Sequence, residues 1–178
     1  MELPRHYRLH VFALTSFAVS QPLYDLIGRN AEFLVAHRAG PWTIAALIAI
    51  LSLVLPLALI VIVDAVRLAS VRAAGWVHRV LVGLLVGLVA ANAVRAMPTG
   101  AALAIASGTA LAGALAYRVR SVRMFLTVVS PAAVIFPLVF AIATPVSRLL
   151  WPREAGHVAA TFARRPPIVV VVFDEMST

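Results

Sequence analysis

The sequence predicts an all-α fold, a polytopic transmembrane bundle of five helical spans, followed by one β-strand that belongs to an incomplete α/β domain. Three observations lead to this prediction. Hydrophobic residues make up 62% of the 178 residues and charged residues only 12%, and the mean hydropathy of +0.99 is too apolar for an average soluble domain. The apolar residues form runs long enough to cross a bilayer. The last run is short and mostly β-branched, which favours a strand.

Five long apolar runs define a predicted transmembrane region at residues 1–146. The first run is the weakest, because it contains Ser16, Gln21 and Pro22. Its beginning also matches a signal peptide with a cleavage site near Ser20, so removal of this run is the alternative interpretation. The predicted spans cover residues 9–27, 42–63, 77–94, 98–117 and 124–146.

Prolines predict local irregularity in two of these spans. Pro56 lies inside the second span, where a neighbouring helix or a local bend must satisfy the carbonyl that proline leaves without a donor. Pro131, Pro137 and Pro145 are expected to bend the fifth span or to fray its end.

The distribution of arginine between the loops predicts the orientation in the membrane. Three arginines, Arg29, Arg38 and Arg95, lie on one side of the predicted topology. The larger set lies on the other side: Arg5, Arg8, Arg67, Arg72, Arg79, Arg118, Arg120 and Arg123. Cytoplasmic loops carry the excess of basic residues. We therefore expect a multi-pass protein of the plasma or inner membrane, with a cytoplasmic amino terminus and an extracytoplasmic carboxyl terminus.

The lipid bilayer is accordingly the expected partner of this chain. The formal charge of +8 comes from arginines in short loops and tails, without a basic patch interleaved with aromatic residues. Such a pattern does not predict a nucleic-acid partner.

Small residues recur at four-residue spacing on two neighbouring spans. Gly83 and Gly87 lie on the third span, and Gly100, Ala104 and Gly108 lie on the fourth. Such spacing lets helix backbones approach closely in lipid. The stripes predict either packing between these two spans of one chain or a homo-oligomer through the Gly83/Gly87 or the Gly100/Ala104/Gly108 face.

Polar residues are sparse in the predicted spans. No ionisable residue lies at the centre of a span, and Gln21 and Asn92 are the strongly polar residues at depth. This argues against a transporter or a channel, which usually needs intramembrane charge. The five histidines lack metal-ligand spacing, so we expect them to be solvated or interfacial. The absence of cysteine excludes disulfides and thiolate metal sites.

The end of the sequence predicts a different kind of structure. Residues 147–165 are polar enough to form an extracytoplasmic linker, and residues 166–178 contain the apolar run Ile168–Phe173. A strand of this kind is buried on both faces in parallel sheets. We therefore expect the chain to end just after the first strand of an α/β domain. From spacing alone, Asp174 fits a metal ligand or a cap of the next helix equally well.

The segment Pro167-Ile168-Val169-Val170-Val171-Val172-Phe173-Asp174-Glu175 resembles the opening strand of the sulfatase and alkaline-phosphatase superfamily. Coming after a multi-span region and a linker, it is most similar to membrane-anchored sulfatase-like proteins. The resemblance implies that Asp174 binds a divalent metal cation in a full-length parent protein. It assigns no ligand role to Glu175.

The same resemblance implies a metal-dependent hydrolase or transferase that acts on sulfate or phosphate esters outside the cytoplasm. The family's nucleophile and its remaining metal ligands come later than Thr178, so no catalytic residue is predicted here. As this fragment, the chain is expected to be inactive and to bind no metal tightly. The alternative is a complete small integral membrane protein without catalysis, which acts as a structural or interaction subunit and adds its terminal strand to a partner's sheet.

Overall fold

The computed structural model describes residues 4–151, and within them the fold is all-helical without a strand. Residues 1–3 and 152–178 lie outside the described residues, and with them lie the predicted strand, Asp174 and most of the predicted linker. The helices are α1 (Tyr7–Thr15), α2 (Gln21–Arg29), α3 (Ala31–Ala36), α4 (Pro41–Ala49), α5 (Leu55–Ala69), α6 (Val71–Ala93), α7 (Thr99–Ala116), α8 (Arg120–Val129), α9 (Ala132–Ala143) and α10 (Ser147–Leu150). Two π-helical turns, Ser16–Ser20 and Ile50–Val54, join α1 to α2 and α4 to α5.

Four helices of the described chain are long and apolar enough to cross a membrane. They are Pro41–Ala69, Val71–Ala93, Thr99–Ala116 and Arg120–Ala143. The fold is therefore compatible with a multi-pass membrane protein, and these helices contain most of the predicted spans two to five. The first predicted span, residues 9–27, folds as part of a continuous helix at residues 7–29 but does not belong to the four.

The helix at residues 7–29 is the central element of the bundle. Each of the three buried apolar clusters contains at least one of its side chains: Tyr7 in the first, Leu14 and Ala18 in the second, and Tyr24 in the third. Its partners come from α5, α6, α8 and α9. Because protein surrounds this helix, it can carry more polar residues than a helix that faces lipid. This explains why it is the least apolar of the predicted spans.

Two predicted features differ in the structure. The predicted loop between spans two and three shrinks to Ser70, because α5 and α6 continue through most of it. Ser70 has an extended backbone, and its side chain accepts a hydrogen bond from the Ala73 amide, which caps α6. The predicted loop between spans one and two contains the short helix α3, which hydropathy alone does not reveal.

The prolines of the fifth span act as predicted at two of three positions. The helix is interrupted between α8 and α9 at Ser130 and Pro131, and α9 ends at Ala143, two residues before Pro145. Pro137 lies inside α9 without ending it. The residue that precedes a proline is disfavoured in the helical conformation, which accounts for the end of α9.

Side chains from neighbouring helices donate hydrogen bonds to backbone carbonyls about one helical turn before Pro22 and Pro56. Each proline follows a π-helical turn and cannot donate the hydrogen bond that would continue it. The Ser20 hydroxyl donates to the Leu51 carbonyl, five residues before Pro56, at 2.8 Å. Of the two expected solutions at Pro56, a neighbouring helix or a local bend, the structure shows a donor from a neighbouring helix.

Asn92 plays the corresponding part at Pro22. Its amide nitrogen donates to the Ala18 carbonyl, four residues before Pro22, at 2.9 Å. A polar side chain on α6 thus holds the irregular turn of the central helix in place. Asn92, which the sequence predicts to lie at depth in the third span, therefore has a structural partner in the fold.

Candidate functional site

Polar side chains converge at the end of the bundle where α1 begins. The residues preceding α1, the last turns of α5, the first turns of α6 and the start of α8 meet here. We call this region the arginine-rich end and define it by Arg5, Arg8, Arg120 and Arg123. The opposite end of the central helix lies about 30 Å away, from the rise of 1.5 Å per helical residue.

A buried hydrogen-bond network connects α1, α6, α8 and the residue that follows α7. The Tyr117 hydroxyl lies 2.6 Å from Nδ1 of His10 and 2.8 Å from Nε2 of His78. Nε2 of His10 lies 2.9 Å from the Thr127 hydroxyl. His10 and His78 are only 2% and 1% exposed, and Tyr117 is equally buried. Four segments of the chain are therefore tied together by polar contacts at this end.

The donors in this network can be assigned in one consistent order. The Thr127 hydroxyl donates to the Arg123 carbonyl at 3.0 Å, so it accepts from Nε2–H of His10. Nδ1 of His10 is then the acceptor for the Tyr117 hydroxyl, which in turn accepts from Nε2–H of His78. Both imidazoles are neutral in this arrangement. Nδ1 of His78 remains as a buried acceptor without a hydrogen-bond partner among the described residues.

An ion pair borders the network. Arg8 contacts the Asp64 carboxylate at 2.8 Å, and the Tyr7 hydroxyl donates to the same carboxylate. The Tyr7 ring packs edge-on against the His78 imidazole, with 5.4 Å between centroids. Asp64 at the end of the second span thus binds the amino-terminal turn of the central helix. Because the Arg8 side chain is largely exposed, the ion pair contributes little to stability by itself.

A cavity of about 390 Å³ opens next to His10, which is one of its lining residues. Its lining combines the residues before α1 with one face of α8, and no Asp or Glu of the described residues belongs to it. The lining residues are Pro4, Arg5, His6, His10, Arg120, Arg123, Met124 and Thr127. Residues 120, 123, 124 and 127 share one helix face by their spacing of three and four. The cavity is therefore basic at its walls and ends at the buried network.

The prediction of solvated or interfacial histidines is wrong for His10 and His78. Both are buried in the bundle, whereas His6 and His37 are exposed as predicted. A usable signal was present in the sequence. His10 and His78 each occupy the second position of a predicted span and Tyr117 the last position of another, so the alternating topology places all three at one end.

Of the two stripes of small residues, the one at Gly83 and Gly87 lies at a contact between helices, and the one at Gly100 and Gly108 does not. A Cβ added at Gly83 or Gly87 would lie within 3 Å of α7 atoms, including the Ala110 carbonyl for Gly83 and the Ala106 carbonyl for Gly87. The predicted packing of the third span on the fourth is therefore observed at these glycines. The α7 residues that meet them are not those of the Gly100/Ala104/Gly108 face, which is exposed.

The predicted metal ligand Asp174 lies outside the described residues. Within residues 4–151, no group of three or more His, Asp or Glu side chains is arranged to hold a metal ion. The structure brings none of the described residues together as a metal centre.

The fold and its buried polar end define a helical bundle of the membrane-protein type. Comparison with protein-family models, curated proteins and solved structures gave no match to this chain.

Proposed function

We propose that this chain is the multi-span membrane region of a sulfatase-like hydrolase or transferase that acts on sulfate or phosphate esters outside the cytoplasm. The observation that carries the proposal is the sequence Pro167–Glu175, in which an apolar β-branched run ends at Asp174. Asp174 would supply one carboxylate to a divalent metal cation. Such a metal supplies charge stabilisation at the transferring group.

The arrangement of the described helices is compatible with the topology that this proposal requires. The last described helix, α10, packs on α9 and α4, and Val146 just before it is buried beside Tyr24 and Ile44. These contacts lie at the end of the central helix opposite the arginine-rich end. Residue 151 is therefore at the far end of the bundle, from which the segment containing Asp174 continues.

The proposed orientation places the arginine-rich end in the cytoplasm. The head and the first turns of α8, which contribute four of the eight predicted cytoplasmic arginines (Arg5, Arg8, Arg120 and Arg123), meet in the structure at that end. With five spans, counting the helix at residues 7–29 as the first, the residues after Val146 are extracytoplasmic. This topology would position the sulfatase-like segment at the outer face of the plasma or inner membrane.

Replacement of Asp174 tests the proposed chemistry. In the full-length protein encoded by the gene, Asp174→Ala should lower metal-dependent hydrolysis of a sulfate or phosphate ester by at least about 100-fold, because a metal ligand is lost. The rate is measured with a chromogenic aryl ester across a series of divalent cations. Glu175→Gln is the matched control and should keep most of the activity. Near-normal turnover in Asp174→Ala, or no activity in the unmodified protein, would contradict the proposal.

The second candidate is an interaction subunit without catalysis, and one observation favours it. The helix α7 has no buried residue, and the space next to Gly100 and Gly108 is open. The face formed by Gly100, Ala104 and Gly108 would allow a helix of a second copy to approach closely. A homo-oligomer through this face is compatible with either function.

A further inference from the structure

Several arginines line one cavity at the arginine-rich end, and the preference for basic residues in cytoplasmic loops does not by itself explain this grouping. Arginines that satisfy the positive-inside rule need only lie in cytoplasmic loops, where each points into water. Here Arg5 from the head and two arginines of α8 line one solvent-open cavity of about 390 Å³ together with His6 and His10. Gathering like charges is unfavourable unless an anion offsets them. The cavity therefore points to an anionic occupant.

The ion pairs of the described residues do not neutralise these walls. Arg8 is paired with Asp64, and Arg29 with Asp25, but neither pair involves a cavity arginine. In addition, α8 begins at Arg120, so the positive end of its helix dipole lies at the cavity. Charge, volume and helix orientation agree in favouring an anion.

The chemistry of the walls favours a phosphate group over a carboxylate. Guanidinium groups form forked hydrogen bonds to phosphate oxygens, and three of them can surround a tetrahedral group with several oxygens. The volume exceeds that of a bare anion, which leaves room for the atoms to which the phosphate is esterified. Met124 contributes an apolar wall on the side of α8. Basic pockets on the cytoplasmic side of membrane helices bind phosphate headgroups in this way.

We propose that this cavity is a binding site for an anionic phosphate group, held by Arg5, Arg120 and Arg123. His10 forms the floor of the site, and Tyr117 and Thr127 fix its orientation through their hydrogen bonds. The phosphate is presented either by a lipid headgroup at the membrane surface or by a soluble phosphate ester. The site is independent of the proposed function, since it lies at the opposite end of the bundle from residue 151.

Native mass spectrometry of the purified, detergent-solubilised chain tests the proposal, with dioleoyl phosphatidate as the anionic probe and dioleoyl phosphatidylcholine as the zwitterionic one. The double variant Arg120→Gln/Arg123→Gln should bind phosphatidate at least about tenfold more weakly, because two charge-assisted contacts are lost. The matched control is Arg72→Gln/Arg118→Gln, which removes two exposed arginines outside the cavity. It should change binding by less than about threefold.

A second variant and a second probe complete the design. Arg5→Gln alters a residue before α1, so it also reports on the site if the α8 variant fails to fold. Glycerol phosphate identifies the source: competition with phosphatidate at millimolar concentration indicates a soluble ester, and absence of competition indicates a lipid headgroup. The proposal is overturned if cavity and control variants weaken phosphatidate binding equally, or if phosphatidate and phosphatidylcholine bind the unmodified chain alike.

Discussion

Tyr117 is the residue through which the two buried histidines are linked. Its hydroxyl lies within hydrogen-bond distance of His10 and of His78, and these three residues come from three different parts of the chain. A buried polar group that loses its partner costs more than the bond contributed, because it cannot regain water. Tyr117 therefore has a larger effect on stability than its position just after α7 suggests.

Tyr117→Phe should lower the free energy of unfolding by about 1–2 kcal/mol, since it leaves one donor and one acceptor without partners. The measurement is reversible unfolding in mixed detergent micelles. Thr109→Val is the control, because the Thr109 hydroxyl bonds only carbonyls of its own helix. Equal stability of Tyr117→Phe and the unmodified chain would show that the network does not hold the bundle together.

The contacts and the burial of some single residues could not be predicted from the sequence. The type and depth of Asn92 could be predicted, but its partner could not, because the Ala18 carbonyl belongs to another helix, and hydropathy does not show which helices pack together. The burial of His10 and His78 depends on which helix faces are covered. Hydropathy does not contain that information for helices in contact with lipid.

At the scale of elements, two π-helical turns and the prolines after them shape the bundle. Ser20 and Asn92 donate to carbonyls beside Pro56 and Pro22, so each irregular turn is stabilised by another helix. π-Helical segments are rare and occur mostly as single turns inside α-helices, as both do here. The irregular turns and the helix contacts around them are therefore coupled.

This coupling can be measured with a double-mutant cycle at Asn92 and Pro22. Asn92→Leu should cost about 1–2 kcal/mol in the free energy of unfolding, because the Ala18 carbonyl loses its donor. In a Pro22→Ala background, residue 22 regains an amide that can bond Ala18, so the cost of Asn92→Leu should fall below about 0.5 kcal/mol. An unchanged cost in that background would mean that Asn92 acts independently of the proline.

The contact between α6 and α7 depends on the absence of side chains at two glycines. Gly87→Leu should destabilise the bundle by about 3 kcal/mol, because the new Cβ would lie 2.8 Å from the Ala106 carbonyl, a backbone atom that cannot move aside cheaply. Gly108→Leu is the matched control, since nothing lies within 4 Å of a Cβ there. The readout is the thermal unfolding midpoint in detergent.

The same control variant tests the proposed homo-oligomer. If the exposed Gly100/Ala104/Gly108 face pairs two copies, Gly108→Leu should reduce cross-linked dimers in membranes while the midpoint stays unchanged. An unaltered dimer fraction would exclude that face. A midpoint for Gly87→Leu equal to that of the unmodified chain would contradict the packing of α6 on α7.

At the scale of the whole molecule, most of the helical fold followed from the length and composition of the apolar runs. The four helices that could cross a membrane correspond to predicted spans two to five, with ends that differ by up to six residues. Those ends depend on features such as the Ser70 cap, which hydropathy averages away. The weak first run became the central helix, because burial in protein replaces the need for an apolar surface.

The candidate sites could be predicted less completely from the sequence than the helices. The arginines of the basic cavity were assigned correctly to one side of the bundle, but their gathering around a cavity depends on the register of α8 against the head. Asp174 remains a prediction from resemblance. Its role and the orientation of the bundle are linked, because the proposed catalysis requires that Asp174 lie outside the cytoplasm.

Orientation is therefore the property to measure first, and the absence of cysteine from the chain makes the measurement clean. Ala36→Cys and Ser121→Cys each introduce a single thiol at an exposed position, one at each end of the bundle. A membrane-impermeant maleimide should label Ala36→Cys in intact cells and Ser121→Cys only after permeabilisation. Labelling of Ser121→Cys in intact cells, with Ala36→Cys protected, would place the sulfatase-like segment in the cytoplasm and contradict the proposed function.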